Sequence, residues 1–256
     1  MQRNRHSLFR KASIIKRKKL NLRVAKRNIR IYSAEYREQV SLEVWRSLLA
    51  PLPVDITQKV EKYRRWQDAY GCLFGKLLLT AALREEGFPG NLSDLKYTDY
   101  GRPYLENGPD FNISHSGNRV VCILGNQGRV GIDLEEIREL AIGDFKDQFT
   151  PGEWRTIVNA REPLITFYHY WTAKECIIKA DGRGLNLPLA KLEIPFAGPG
   201  APSDAPDRRI WLAERCWNIR TVFFFKNYAC HIAAEEQVDD VELREISVGE
   251  TFNHIQ

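Results

Sequence analysis

Apolar positions along this chain recur either every second residue or every three to four, in short segments parted by Gly- and Pro-bearing turns. Period-two or β-rich runs predict strands over residues 30–33, 111–115, 119–124, 130–135, 209–212, 221–225 and 228–233. Helical periodicity predicts a short helix over Leu42–Leu49, stopped by Pro51 and Pro53, and a second one opening near Asp55, whose side chain can cap it. Two long helices follow, over residues 66–83 and 164–180, the latter ended by Gly182-Arg183-Gly184. Thr150-Pro151-Gly152-Glu153 joins a capping hydroxyl, a proline in the first turn and a glutamate three residues on, which marks one more helix start. Residues 96–100 and 185–196 read as extended, and 198–207, rich in Pro, Gly and Ala, as a mobile loop. A long helix with several strands on each side of the turn at 125–128 predicts an α+β protein of duplicated architecture, divided into 31–128 and 129–256.

Composition narrows the class. The 256 residues suffice for one large domain or two small ones, and 43% hydrophobic with 28% charged side chains is the balance of a soluble globular protein. No apolar run approaches the ~20 residues a membrane span needs. Five scattered cysteines, odd in number and without a CxxC pair, indicate neither a disulfide framework nor a zinc site, which fits a reducing, cytoplasmic setting. The net charge of +5 conceals an asymmetry: residues 1–34 carry twelve Lys or Arg and no acid, which leaves 26 basic against 33 acidic side chains in the remainder. The basic arm, residues 1–30, reads as a solvated tail, a targeting segment or a start placed too far upstream; without aromatic or motif context, nucleic-acid binding is the weaker reading.

Candidate chemistry sits in two stretches. In Gly131-Ile132-Asp133-Leu134-Glu135 strand alternation points Asp133 and Glu135 to one face and Ile132 and Leu134 to the other. In the helix Trp171-Thr172-Ala173-Lys174-Glu175, continued to Lys179, Glu175 and Lys179 share a face at i,i+4. Three carboxylates able to converge on one hard cation, with an ammonium one turn on, suit transfer of a phosphate-bearing group. Each pair alone also has a plain reading, as the solvent face of an amphipathic strand and as a surface ion pair.

The order of blocks decides between these readings. Phe111-Asn112-Ile113-Ser114-His115-Ser116-Gly117, then the Asp133/Glu135 strand, then Trp171-x-x-Lys174-Glu175 with Lys179, Gly182 and Gly184, closely resembles the signature of the surfactin-type 4′-phosphopantetheinyl transferases. The resemblance spans about residues 59–189 and implies two similar α/β halves related by pseudo-twofold symmetry. It implies transfer of the 4′-phosphopantetheine arm of coenzyme A to a serine of an acyl or peptidyl carrier protein, with release of adenosine 3′,5′-bisphosphate. By matched positions, Asp133, Glu135 and Glu175 would hold Mg²⁺, with Mn²⁺ an alternative, and Glu175 or a metal-bound water would take the serine proton. Lys179, and with it Lys174, would neutralise phosphate charge; Ser114 and His115 would meet the coenzyme A phosphates; Gly101-Arg102-Pro103 would hold the adenine nucleotide and Lys59 and Lys62 the 3′-phosphate. A metal-dependent phosphodiesterase or a nucleic-acid adaptor needs neither the His-Ser-Gly hairpin nor the Trp-x-x-Lys-Glu helix. Two halves in one chain make a monomer sufficient.

One position departs from the family pattern. Where relatives commonly carry an Arg that reaches coenzyme A, this chain has Gly71, so either Arg64 or Arg65 supplies the cation from one turn earlier or the 3′-phosphate is held less tightly. With the arm set aside the body is acidic, and a mainly apolar surface near the cleft is expected to receive the carrier.

Overall fold

The computed structural model describes residues 28–125, 127–195 and 208–247; most of the basic arm and the 198–207 loop lie outside them. The first half runs β1 (Asn28–Glu35), α1 (Leu42–Leu49), α2 (Val54–Glu61) and α3 (Trp66–Glu85). A small ribbon, β2 (Lys96–Tyr97) with β3 (Pro103–Tyr104), then leads to β4 (Asp110–Ser116) and β5 (Arg119–Gly125). The second half holds β6 (Val130–Glu136), α4 (Pro151–Val158) and α5 (Pro163–Asp181), followed by β7 (Arg208–Leu212), β8 (Arg215–Thr221), β9 (Tyr228–Ala234) and β10 (Asp240–Glu245).

Local chemistry explains the boundaries. The Thr150 hydroxyl accepts from the Glu153 N–H while the Glu153 carboxylate accepts from the Thr150 N–H, closing the capping box that starts α4. Proline stands at the start of α5, and Gly182 ends it in the left-handed region at φ 89°. The cap of α2 is Pro53 rather than Asp55, which instead places its carboxylate in the first turn, where the helix dipole favours it.

Two four-stranded sheets form, ordered β10-β1-β5-β4 and β6-β9-β8-β7, with α3 packed on the first and α5 on the second. Both helices are buried along most of their length, with apolar residues spread around the helix instead of confined to one stripe. The opposite sheet faces meet in a shared core, where Ile29, Ile31, Val121 and Ile123 of the first sheet pack with Ile132, Leu134, Cys230 and Ile232 of the second. Ile132 and Leu134 are therefore committed to the core, and alternation sends Asp133 and Glu135 the other way.

Two further sequence expectations are corrected, and one strand was not foreseen. The strand expected at 221–225 lies at Arg215–Thr221, because the Cys-Trp-Asn-Ile-Arg pattern alternates whereas the following aromatic run turns outward, with Phe223 and Phe224 exposed. The stretch expected to be extended from 185 is interrupted by two short 3-10 turns, Gly184–Asn186 and Leu189–Lys191, with extended backbone kept at Leu187, Pro188 and Leu192. Strand β10, unanticipated, pairs parallel with β1, so the last described strand belongs to the first sheet and a division at 128 does not contain it.

Candidate active site

Strands β4 and β6 run side by side as the inner edges of the two sheets, joined by side chains in place of a backbone ladder. Asp110, Asn112, Ser114 and Ser116, every second residue of β4, accept the N–H groups of Val130, Ile132, Leu134 and Glu136 at 2.8, 3.0, 3.2 and 3.1 Å. Each rung satisfies an edge-strand donor that would otherwise be buried unpaired. Helix α5 lies directly on β6: a methyl group at Gly131 would fall 2.1 Å from the Cys176 carbonyl oxygen, so only glycine allows this approach. The approach brings Lys179 to Asp133.

Asp133 is 2% exposed. Its Oδ1 accepts from Lys179 Nζ at 2.5 Å and from the Ser114 hydroxyl at 3.0 Å, while Oδ2 is buried with no hydrogen-bond partner among the described residues. Glu135 Oε2 accepts from the Ser116 hydroxyl at 2.6 Å; burial, then the Asp133 charge, pushes its carboxyl up to about 7. Burial and then Asp133 also raise the carboxyl of Glu175, whose side chain makes no hydrogen bond among the described residues. Burial works against the Lys179 ammonium, yet Asp133, Glu175 and Glu135 together hold its pKa above the ordinary lysine value. The three predicted carboxylates thus share one electrostatic field with one lysine. Among the described residues no three acidic, histidine or cysteine side chains are drawn together into a ready metal-ligating cluster.

A divalent cation nevertheless fits this donor set. Asp133 Oδ2 is an orphaned buried carboxylate oxygen, and Glu135 and Glu175 are held back from ionising by burial and by Asp133, which a neighbouring hard cation would reverse.

His115, next to last in β4, faces a cleft of about 510 Å³ whose walls include Arg65, Trp66, Ser116, Glu135 and Arg138. Desolvation on its protein side, then the Lys179 charge, lowers its pKa, which keeps the imidazole neutral at pH 7. Arg65 lines this cleft and Arg64 does not, so of the two arginines considered from sequence Arg65 is the one in place. Lys59 and Lys62 are exposed, on the last turn of α2 and at its C-cap. Gly101 takes φ 79° in the turn closed by its N–H to the Thr98 carbonyl, and Pro103 enters β3.

Three of the residues expected at phosphate or nucleotide make contacts within the protein. Arg102 is 7% exposed; its guanidinium grips both oxygens of Asp110 at 2.8 and 2.7 Å and donates to the carbonyls of Lys179, Phe111 and Val130. It locks α5 to the β4–β6 seam, and Gly182 lacks a side chain where the Arg102 stem passes. Ser114 donates to Asp133 and accepts from both Leu134 N–H and Lys179 Nζ, which exhausts its hydroxyl. Lys174 is fully buried away from the cleft, paired to Glu153 at 2.7 Å and donating to the Leu189 and Leu192 carbonyls. Sequence reading missed Glu153 in this role, Ser116 as the partner of Glu135, and the Asp110/Asn112 rungs. The available signal was the polar residue at every second position of β4, alternating with Phe111 and Ile113.

Comparison with known proteins accords with this arrangement. The 4′-phosphopantetheinyl transferase superfamily profile matches residues 129–233, the segment from β6 through β9. A 4′-phosphopantetheinyl transferase of Bacillus subtilis is 32% identical over 207 residues, covering 77% of this chain and 89% of the relative. The transferase Sfp of Bacillus subtilis strain 168 is 33% identical over 160 residues, 59% of this chain and 70% of its own. The human L-aminoadipate-semialdehyde dehydrogenase-phosphopantetheinyl transferase is 29% identical over 167 residues, 58% of this chain and 54% of its own. With the Asp133–Lys179 site inside the matched segment, the chain belongs to the surfactin-type 4′-phosphopantetheinyl transferase superfamily and is an enzyme of that class.

Proposed function

We propose that this enzyme moves the 4′-phosphopantetheine arm of coenzyme A onto a serine of an acyl or peptidyl carrier protein, with Mg²⁺ as its metal and adenosine 3′,5′-bisphosphate as the leaving product. The observation that carries the reading is the buried, unpartnered Oδ2 of Asp133, set beside Lys179 and in the field of Glu135 and Glu175. Asp133, Glu135 and Glu175 would hold the metal. When bound, the metal offsets charge on the pyrophosphate oxygens during displacement at phosphorus.

The remaining steps belong to side chains of this chain. The neutral imidazole of His115, at the cleft wall, has one N–H to donate to a phosphate oxygen. Glu175, with no hydrogen bond to break among the described residues, accepts the proton of the carrier serine as its oxygen attacks the pantetheine-bearing phosphorus. The bond from that phosphorus to the bridging oxygen breaks, and the electron pair leaves on the bisphosphate, whose charge the Lys179 ammonium stabilises. Two halves in one polypeptide let a monomer carry the whole site. Among the described residues no helix is long and apolar enough to cross a membrane.

Incubation with coenzyme A, Mg²⁺ and an apo-carrier should add the mass of the arm to the carrier. Asp133→Asn, which preserves shape and removes the charge facing Lys179, should lower kcat/KM by at least about 1,000-fold, roughly 4 kcal/mol of transition-state stabilisation, with an unchanged circular dichroism spectrum. Retained activity in that variant would refute the assignment.

A further inference from the structure

We propose that Gly71 is a positioning residue: by lacking a side chain it seats the His115 imidazole against α3, facing the cleft. The inference rests on the reading above only for the ligand that His115 meets. Its basis is a register match between α3 and β4. Gly71 and Gly75 are one helical turn apart, ~6 Å along the axis. His115 and Ile113 are two strand residues apart, ~6.6 Å. The two pairs coincide: a methyl at Gly75 would fall 2.8 Å from Ile113 Cγ2, and one at Gly71 would fall 2.6 Å from both Cγ and Nδ1 of His115.

The two contacts differ in kind. At Gly75 the strand residue is aliphatic and packs against the first core, which compensates for a glycine inside a helix. At Gly71 the partner is a polar ring at the cleft wall, beside Arg65 and Ser116. Glycine costs a helix interior ~1 kcal/mol relative to alanine, and Gly71 has no positive φ that would call for it. Room for His115 is the reason the structure offers. Helix α3 then bounds the imidazole on one side while the cleft bounds it on the other, so its N–H is aimed before a substrate arrives. A methyl group at position 71 displaces the ring from that seat.

Gly71→Ala should weaken coenzyme A binding in calorimetry about tenfold, while in a His115→Ala background the same change alters affinity less than about twofold. Its melting temperature should stay level or rise, since alanine favours the helix. Gly75→Ala serves as the control: its methyl strikes Ile113, so it should lower the melting temperature and leave affinity within about twofold. In NMR at fixed pH the His115 ring resonances should move in Gly71→Ala and stay in Gly75→Ala. Equal weakening with and without His115, or unchanged affinity and resonances, would overturn the proposal. Should Gly71→Ala fail to fold, rescue by His115→Ala supports the seat and absence of rescue refutes it. A wild-type protein that binds no coenzyme A would defeat the proposed function, and the resonance comparison would then decide the seat by itself.

Discussion

Lys174 and Lys179 stand five residues apart on α5 and have opposite fates. Lys179 reaches the seam and the Asp133 carboxylate, whereas all three protons of Lys174 are spent inside, on Glu153, Leu189 and Leu192. From sequence the two look alike, because a lysine on a helix reads the same whether its charge answers a substrate or the protein. Arg102 taught the same lesson. Glu153 was legible as half of a capping box, but its other oxygen, which accepts from Ile194 N–H, and its pairing with Lys174 depend on a loop that no local pattern announces. Since Glu153 would be left buried and unpaired, Lys174→Met should destabilise the fold by about 3–5 kcal/mol in urea unfolding, and adding Glu153→Gln should recover part of that loss. A cost below about 1 kcal/mol would show the pair to be dispensable.

At the scale of elements, the long helices, the β4–β5 hairpin and β6 were readable because their periodicity is local, and so was the shared direction of Asp133 and Glu135. The seam was not, since nothing in one strand names the other strand its side chains will serve. A second cross-element contact is equally hidden: His231 of β9 bridges Thr172 of α5 at 2.7 Å and Thr221 of β8 at 3.0 Å. With the Thr172 hydroxyl donating to the Tyr168 carbonyl, a neutral His231 donates from Nδ1 and accepts at Nε2, so both of its nitrogens have partners. Burial, then His169 and Arg208, holds the His231 pKa well below the usual value, and burial alone takes His169 down to about 4. Below the unfolded value of ~6.5 the unfolded chain binds protons that the native state refuses, at ~1.4 kcal/mol per pH unit for each histidine. Stability from this source is complete above about pH 6.5 and declines as pH falls toward 4. The melting temperature of His169→Gln should therefore fall less steeply between pH 7 and 5 than that of the wild type. Identical slopes would remove His169 from the account.

For the whole molecule, the sequence supplied the α+β class and a long helix with strands in each half, but not the pairing of β10 with β1. The return of β10 to β1 is invisible to any local reading, because the pairing joins Ile29 to Val241 and Ile31 to Leu243 across almost the entire polymer. Ile246, just beyond that strand, is 2% exposed in the core of the first half. Ile246→Ala, at the far end of the chain, should cost about 2–5 kcal/mol of stability, reported most strongly by the Trp45 and Trp66 fluorescence of the first half. A loss under about 0.5 kcal/mol would mean that the terminal segment is not integral.

That same return sets a clock on biosynthesis. Domains generally mature from the leading end as the polypeptide emerges, but here the first sheet keeps an open flank until β10, some two hundred residues later, has been made. The nascent protein therefore spends its time on the ribosome with the outer side of β1 unclaimed, a period in which chaperone capture, or pairing with a neighbouring nascent chain, competes with the closing strand.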